Sequence, residues 1–389
     1  MAAVEAVRAG RVVYLNVRQA DSGQVGDRAL PRDYRDLCRF MHCGVIDRSG
    51  TIEPPFDWAV LEPIPPVAGT DRYAIGEAAS FAQLCDARGA EIVAEAEASD
   101  RSIQVLWSGG IDSTAALIGV IKSAAARGCA DRIQVLLSMD SVLEYPEFYL
   151  EVIDGRYAVR PVGQPMSRAL DSDALNLTGE HGDQLFGSQL LAPYVRRGVS
   201  GSDWRDLLPL VMLERLHDPR AVRRALGLVR PVLEAAPAPI ESLFDALWWL
   251  NFTLKWQDVS VRMVGTRGAD APRLARSLRH FFRTDSFQQW ALRYTPGRPV
   301  ERWTDYKLPA KQYVREFTGN ERYFRQKTKE DSLRNVLIAR NSTARAQIFM
   351  RDDFVPVVTM IEPDAPGRIR RLLSRGALPR GARMPEFGG

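Results

Sequence analysis

The sequence is poor in residues that staple a chain or carry it across a membrane. Four cysteines (Cys38, Cys43, Cys85 and Cys129) in 389 residues do not make a disulfide framework. Cys38, His42 and Cys43 lie close together, but no second ligand pair at zinc spacing follows. Reduced thiols are therefore expected rather than structural zinc. The longest apolar stretch, Leu243 to Leu254, already contains Asp245 and falls short of the ~20 residues of a membrane helix. Met1-Ala2-Ala3-Val4-Glu5 lacks the basic start and apolar run of a secretory signal. A cytoplasmic chain with no membrane partner is the expectation.

Internal repeats and low-complexity blocks are also missing, and the net charge is only +4. The basic excess gathers in two places: Arg215, Arg220, Arg223, Arg224 and Arg230, and then Arg368 to Arg383. Such runs are usually solvated faces or tails. Neither carries the interleaved aromatics of a single-strand stacking platform. Nucleic acid stays open as a partner but is not favoured.

What is present is an ordinary globular composition, 46% hydrophobic and 26% charged, in a chain long enough for one large or two smaller domains. Residues 1–73 mix short apolar runs (Arg11 to Leu15) with proline punctuation (Pro54-Pro55, Pro63 to Pro66) and read as a small β-containing segment and linker. Residues 74–98 read as helix. Then Ile103–Trp107, Ile133–Leu137 and Ala174–Thr178 are strand candidates, with helices predicted over 113–126 and 148–153. That alternation predicts an α/β fold with a parallel sheet. Beyond residue 200 the pattern turns helical, and residues 361–389 form a basic tail.

The sharpest motif is Ser108-Gly109-Gly110-Ile111-Asp112-Ser113-Thr114, between the first strand and its helix. Adjacent glycines let backbone N–H groups approach a phosphate. Ser108 and Ser113 add hydroxyls, and the helix start favours an anion. Asp112 suits a magnesium ligand that bridges to phosphate oxygens. The glycine spacing is neither that of a Walker loop nor that of a Rossmann fingerprint. A second turn, Thr178-Gly179-Glu180-His181-Gly182-Asp183-Gln184-Leu185-Phe186-Gly187, adds two carboxylates after another strand. Carboxylates from adjacent strand ends can share magnesium on one polyphosphate.

The first motif resembles the pyrophosphate loop of the ATP pyrophosphatase (PP-loop) superfamily. The second is similar to the Ser-Gly-Glu-Gly-Ser-Asp-Glu-x-Phe-Gly segment of asparagine synthetases and β-lactam synthetases. The resemblance covers residues 75–335. It implies an adenine nucleotide α-hydrolase-like domain over 74–360 with a mostly helical C-terminal part. ATP and Mg²⁺ are the implied cofactors. ATP would sit on Leu106, Ser108, Gly109, Gly110, Asp112, Ser113, Met139, Thr178 and Gly179, with Asp112 and Asp183 as metal ligands.

Leu243 to Arg262, including Trp248, Trp249, Asn251, Lys255 and Asp258, resembles the family's acceptor-pocket helix, although periodicity favours a core role for its aromatics. Phe281-Phe282, Asp285 and Phe287 loosely resemble a Pro-Phe-Leu-Asp segment. Lys311-Gln312-Tyr313-Val314-Arg315 is similar to its Lys-x-x-Leu-Arg helix. Arg325-Gln326-Lys327 resembles a loop whose lysine steadies pyrophosphate and the tetrahedral intermediate, with Lys329 an equal alternative. Glu180, Lys327 and Lys311 are the implied catalytic residues.

The implied activity is an AMP-forming amide ligase that adenylates a small-molecule carboxylate and passes it to an amine or ammonia. A nucleic-acid modification enzyme of the same superfamily and a non-catalytic ATP-binding module are the rivals. Glutamine-dependent relatives start with a catalytic cysteine on a glutaminase domain. Here position 2 is Ala2, and only residues 1–107 precede the loop. Glutamine alone is therefore not expected to serve. Ammonia, a substrate amine or a separate nitrogen-supplying protein would take its place.

Overall fold

The computed structural model describes residues 14–15, 22–25, 28–65, 79–162, 169–264, 271–293 and 299–329. The expected strand over Arg11 to Leu15, the start of the 74–98 helix and the basic tail lie wholly or largely outside them. Five parallel strands form one sheet: β3 (Ile103–Leu106), β4 (Ile133–Leu137), β5 (Ala158–Pro161), β6 (Leu175–Thr178) and β7 (Leu278–His280). The two preceding strands, β1 (Gln24–Val25) and β2 (Arg28–Ala29), make only a separate antiparallel pair.

The spatial order β5-β4-β3-β6-β7 means the chain winds one way from β3 to β5 and the other way from β6. Between β3 and β6 the loops after the strands leave on opposite sides and open a crevice at their C-terminal ends. β3 pairs with both β4 and β6, Ile103 lying opposite Ile133 and Leu175. It is thus the centre of the sheet, buried on both faces, which is why it is apolar except at Gln104, whose amide donates to Gln134 Oε1 at 2.8 Å. The edges were not legible. β7 has three residues, and β5 is half exposed and ends on Pro161, which an edge tolerates.

The helices that frame the sheet start where the sequence supplies caps. α1 (Arg32–Met41) follows Pro31, and α2 (Phe81–Ala98) opens with a Ser80–Gln83 capping box. α3 (Ile111–Arg127) follows Gly110 with no side-chain cap, whereas α4 (Met139–Glu144) is closed by Ser138 and Ser141. The expected 148–153 helix appears as a turn over Pro146–Phe148 continued by a wider, i→i+5 bonded turn over Tyr149–Ile153. α5 (Gly182–Phe186) begins inside the second motif. α6 (Trp204–Leu216), α7 (Pro219–Glu234), α8 (Leu243–Leu254) and α9 (Trp256–Val261) make the helical layer, followed later by α10 (Leu308–Thr318) and α11 (Glu321–Gln326).

Leu243 to Arg262 is not one helix. The carbonyls of Thr253 and Leu254 accept N–H groups of Arg48 (3.3 Å) and Ile46 (3.2 Å), bonds that a continuous helix would have kept for itself. Thr253 also donates back to Trp249 O at 2.7 Å. The chain breaks at Lys255. The described part of residues 1–73 thus does more than link: α1 packs on α7 through Asp36, fully buried and bonded to Arg224 at 2.7 Å. Phe40, Val45 and Ile46 join the same hydrophobic core as the sheet.

Asp36→Asn should lower stability by about 1–3 kcal/mol, read from urea unfolding. The loss stays moderate because Arg224, with 34% of its side chain exposed, can rehydrate.

Candidate functional site

A cleft of about 640 Å³ opens at the C-terminal ends of β3 and β6. Leu106, Leu136 and Val162 give it an apolar wall, while Ser108, Thr178 and Glu180 line its polar floor. No helix among the described residues is long and apolar enough to cross a membrane.

The first loop is built by hydroxyls. Ser113 Oγ accepts the Ser108 N–H (3.1 Å) and donates to Gly110 O (3.2 Å). The Gly110 N–H donates to Ser108 Oγ at 3.3 Å. Gly109 has φ +76°, and a Cβ there would run into the Ser141 carbonyl of α4, so only glycine fits. Gly182 is constrained as well, because its missing Cβ is the space that the Asp112 carboxylate fills, and a Cβ at Gly179 would run into the backbone of Asp112 and Ser113. The two motifs therefore interlock. Asp112 rises from the first turn of α3 into the backbone of the second loop.

Asp112 and Asp183 meet on one cation that sequence reasoning missed. Lys307, fully buried, bonds Asp112 Oδ2 and lies 2.6 Å from Asp183 Oδ1. Lys329 Nζ reaches Asp183 Oδ2 at 3.3 Å. Burial opposes the charge on Asp183, but Lys307 and Lys329 outweigh it and hold its carboxyl well below the usual range. For Asp112 burial dominates over Lys307 and pushes the carboxyl upward. Asp112 Oδ1 is buried with no hydrogen bond. Lys307 stands one helical turn before Lys311, so spacing alone gave no reason to prefer it.

Lys311 and Lys327 are not brought to the carboxylates. Lys311 Nζ donates to the carbonyls of Thr304, Phe324 (3.0 Å) and Lys327 (3.3 Å), tying α10 to the end of α11. Burial pushes its amine down to about 8. Lys327 Nζ bonds Glu144 Oε1 of α4 at 2.9 Å. Of the two loop lysines, Lys329 lines the cleft. Met139 is packed in the core and is not among the residues that line the cleft.

Glu180 bonds Arg262 at the end of α9, a second unforeseen partner. Its backbone N–H donates to Thr178 Oγ1 at 3.3 Å. His280 Nε2 faces the Ser260 carbonyl at 3.0 Å, so it carries the proton, and Nδ1 accepts from the Thr178 hydroxyl at 2.7 Å. Burial lowers the pKa of both His280 and His181 and keeps them neutral. His181 stands where a glycine is the usual choice, at φ +73°, held by Ser260 Oγ at 3.0 Å and the Trp256 carbonyl at 3.3 Å.

Further along, Asn251 Nδ2 donates to the carbonyls of Asp183 (3.1 Å) and Gly187 (2.6 Å), fixing the second loop to α8. Trp248 and Trp249 are core residues whose indoles donate to Leu185 O and Val232 O. Phe281, Phe282 and Phe287 form an aromatic cluster with Phe81. Lys255 lines the cleft beside Arg215 and Met41. Asp258 is buried, which pushes its carboxyl up to about 6 against Lys255 and Arg262.

No group of three or more metal-ligating side chains converges among the described residues. Comparison of the chain with protein-family models, curated proteins and solved structures gives no match.

Two outcomes follow from this geometry. Gly109→Ala should destabilise the fold by about 1–3 kcal/mol through overpacking against α4, measured by urea unfolding. Because Asp258 binds its proton more tightly in the fold than when unfolded, it subtracts stability as pH rises from about 4 to about 6. The stability difference between Asp258→Asn and the parent should therefore shift in the variant's favour across that window and stay constant above it.

Proposed function

We propose that this chain is an ATP-dependent, AMP-forming amide ligase of the asparagine synthetase-like, PP-loop kind. The observation that carries the reading is the meeting of Asp112 and Asp183, from loops after adjacent central strands, at the crevice where the sheet order reverses. A glycine-and-serine loop at an uncapped helix start lies beside them, which suits a polyphosphate.

The residues fit magnesium. Asp112 keeps a buried oxygen without a hydrogen bond, and two carboxylates with no third protein ligand among the described residues suit an ion completed by phosphate oxygens and water. Asp112 and Asp183 would hold it, and it would supply positive charge to the departing pyrophosphate. Ser108, Gly109, Gly110 and Ser113 cradle the phosphates, with Thr178 and Gly179 opposite. The apolar wall of Leu106, Leu136 and Val162 offers a surface for the adenine.

The substrate carboxylate attacks the α-phosphorus, and the bond to the pyrophosphate oxygen breaks. An amine nitrogen then attacks the acyl carbon and loses a proton, and AMP leaves with the electrons of the C–O bond. Lys329, in the cleft, is positioned to steady pyrophosphate and the growing oxyanion. Lys311 acts indirectly, by fixing the backbone that carries Lys327. Glu180 is held by Arg262 at the cleft floor, where it supports adenylate formation.

Screening carboxylates and amines should yield AMP and pyrophosphate. ADP and phosphate as products would remove the reading. Asp183→Asn should cut pyrophosphate release by orders of magnitude while circular dichroism stays native. Lys329→Ala should slow the overall reaction by ~2–4 kcal/mol in barrier and more than Lys327→Ala does. The reverse ranking would return the role to Lys327.

A further inference from the structure

We propose that Lys307 is a resident counter-cation occupying the metal position between Asp112 and Asp183, so that the site takes a divalent ion only together with a polyphosphate. The inference rests on the reading of these two carboxylates as metal ligands. Lys307 has no solvent-exposed side-chain surface and contacts both acids, while Lys329 takes the second oxygen of Asp183 at 3.3 Å. Two carboxylates and two ammonium groups leave this pocket without net charge. A free divalent ion entering it would add two uncompensated buried charges, which a low-dielectric interior resists. A polyphosphate arriving with the ion supplies the missing negative charge and gives the ammonium a new acceptor.

The backbone supports the same role. Lys307 is left-handed at φ 59°, a conformation that costs a non-glycine residue energy and persists where the surroundings impose it. It directly precedes α10, which carries proline in its first turn. The ammonium is thus delivered from a fixed point and exchanges partners without leaving the pocket. Asp112 Oδ1, buried with no hydrogen bond, is the acceptor that the lysine leaves unfilled.

The test is titration of Mn²⁺ into the nucleotide-free full chain, with the unbound ion followed by electron paramagnetic resonance. The parent should show no saturable site. Lys307→Met should gain one, saturating at a free Mn²⁺ concentration about tenfold or more below the highest at which the parent stays unsaturated, the range over which groups around a metal move its affinity. Adding Asp183→Asn to that variant should abolish the gain. If Lys307→Met does not fold, Lys307→Gln, which keeps a donor for the carboxylates, is titrated by the same criteria. A saturable Mn²⁺ site in the parent that the variant does not improve overturns the proposal, as does a folded variant with no gain. Pyrophosphate release by the parent reads the ligase activity separately. A chain that releases pyrophosphate but gains no manganese site keeps that function and loses this proposal, and the opposite result does the reverse.

Discussion

Two carboxylates buried side by side cannot both ionise without a cation between them, and that constraint organises the site. Asp112 comes from the helix after β3 and Asp183 from the turn after β6. Lys307, more than a hundred positions downstream of either in the chain, closes the pair. Removing its charge while leaving both acids would cost several kcal/mol per uncompensated ion. The approach to α10, the glycine at 182 and the strand register that sets the two loops side by side all serve this one contact.

The helical layer does for the far side of the cleft what the sheet does for the near side. Residues 45–48 lie across the end of α8 and take two of its carbonyls, so the helix ends at Lys255 and restarts at Trp256. A continuous helix would have satisfied those carbonyls itself. The break brings Lys255 into the cleft wall, while Arg262 ends the next helix against Glu180. Asn251, one turn before the break, holds the backbone of Asp183. The second loop and the helical layer are thereby locked to each other through the Asn251 side chain and the backbone carbonyls it holds.

The neutral histidines belong to the same frame. His280, with its proton on Nε2, accepts from Thr178, and Thr178 in turn accepts the N–H of Glu180. This chain runs from the edge strand β7 through β6 to the backbone of Glu180, whose carboxylate Arg262 holds. Burial keeps both rings uncharged, so the chain adds direction without adding charge to a pocket whose electrostatics are already balanced.

The central strands and both loops were legible because local pattern suffices for them. Ile103–Leu106, Ile133–Leu137 and Leu175–Thr178 are short, mostly apolar and largely buried strands, and a glycine-serine turn after such a strand has its own signature. Asp112 and Asp183 followed from those turns. The edge strands β5 and β7 did not, since the one is partly exposed and the other only three residues long, and neither carries a readable period. α1 had a readable signal, with Tyr34, Leu37, Cys38 and Met41 at helical spacing, hidden among charged residues and prolines. Lys307 and Arg262 had none. A lysine's role depends on which distant carboxylate its amine meets, and the residues next to Lys307 in the chain do not name that carboxylate. Local sequence determined the strands and the two carboxylate turns. Which cations answer those carboxylates was decided by the tertiary structure, because charge pairing acts across space and leaves no period along the chain.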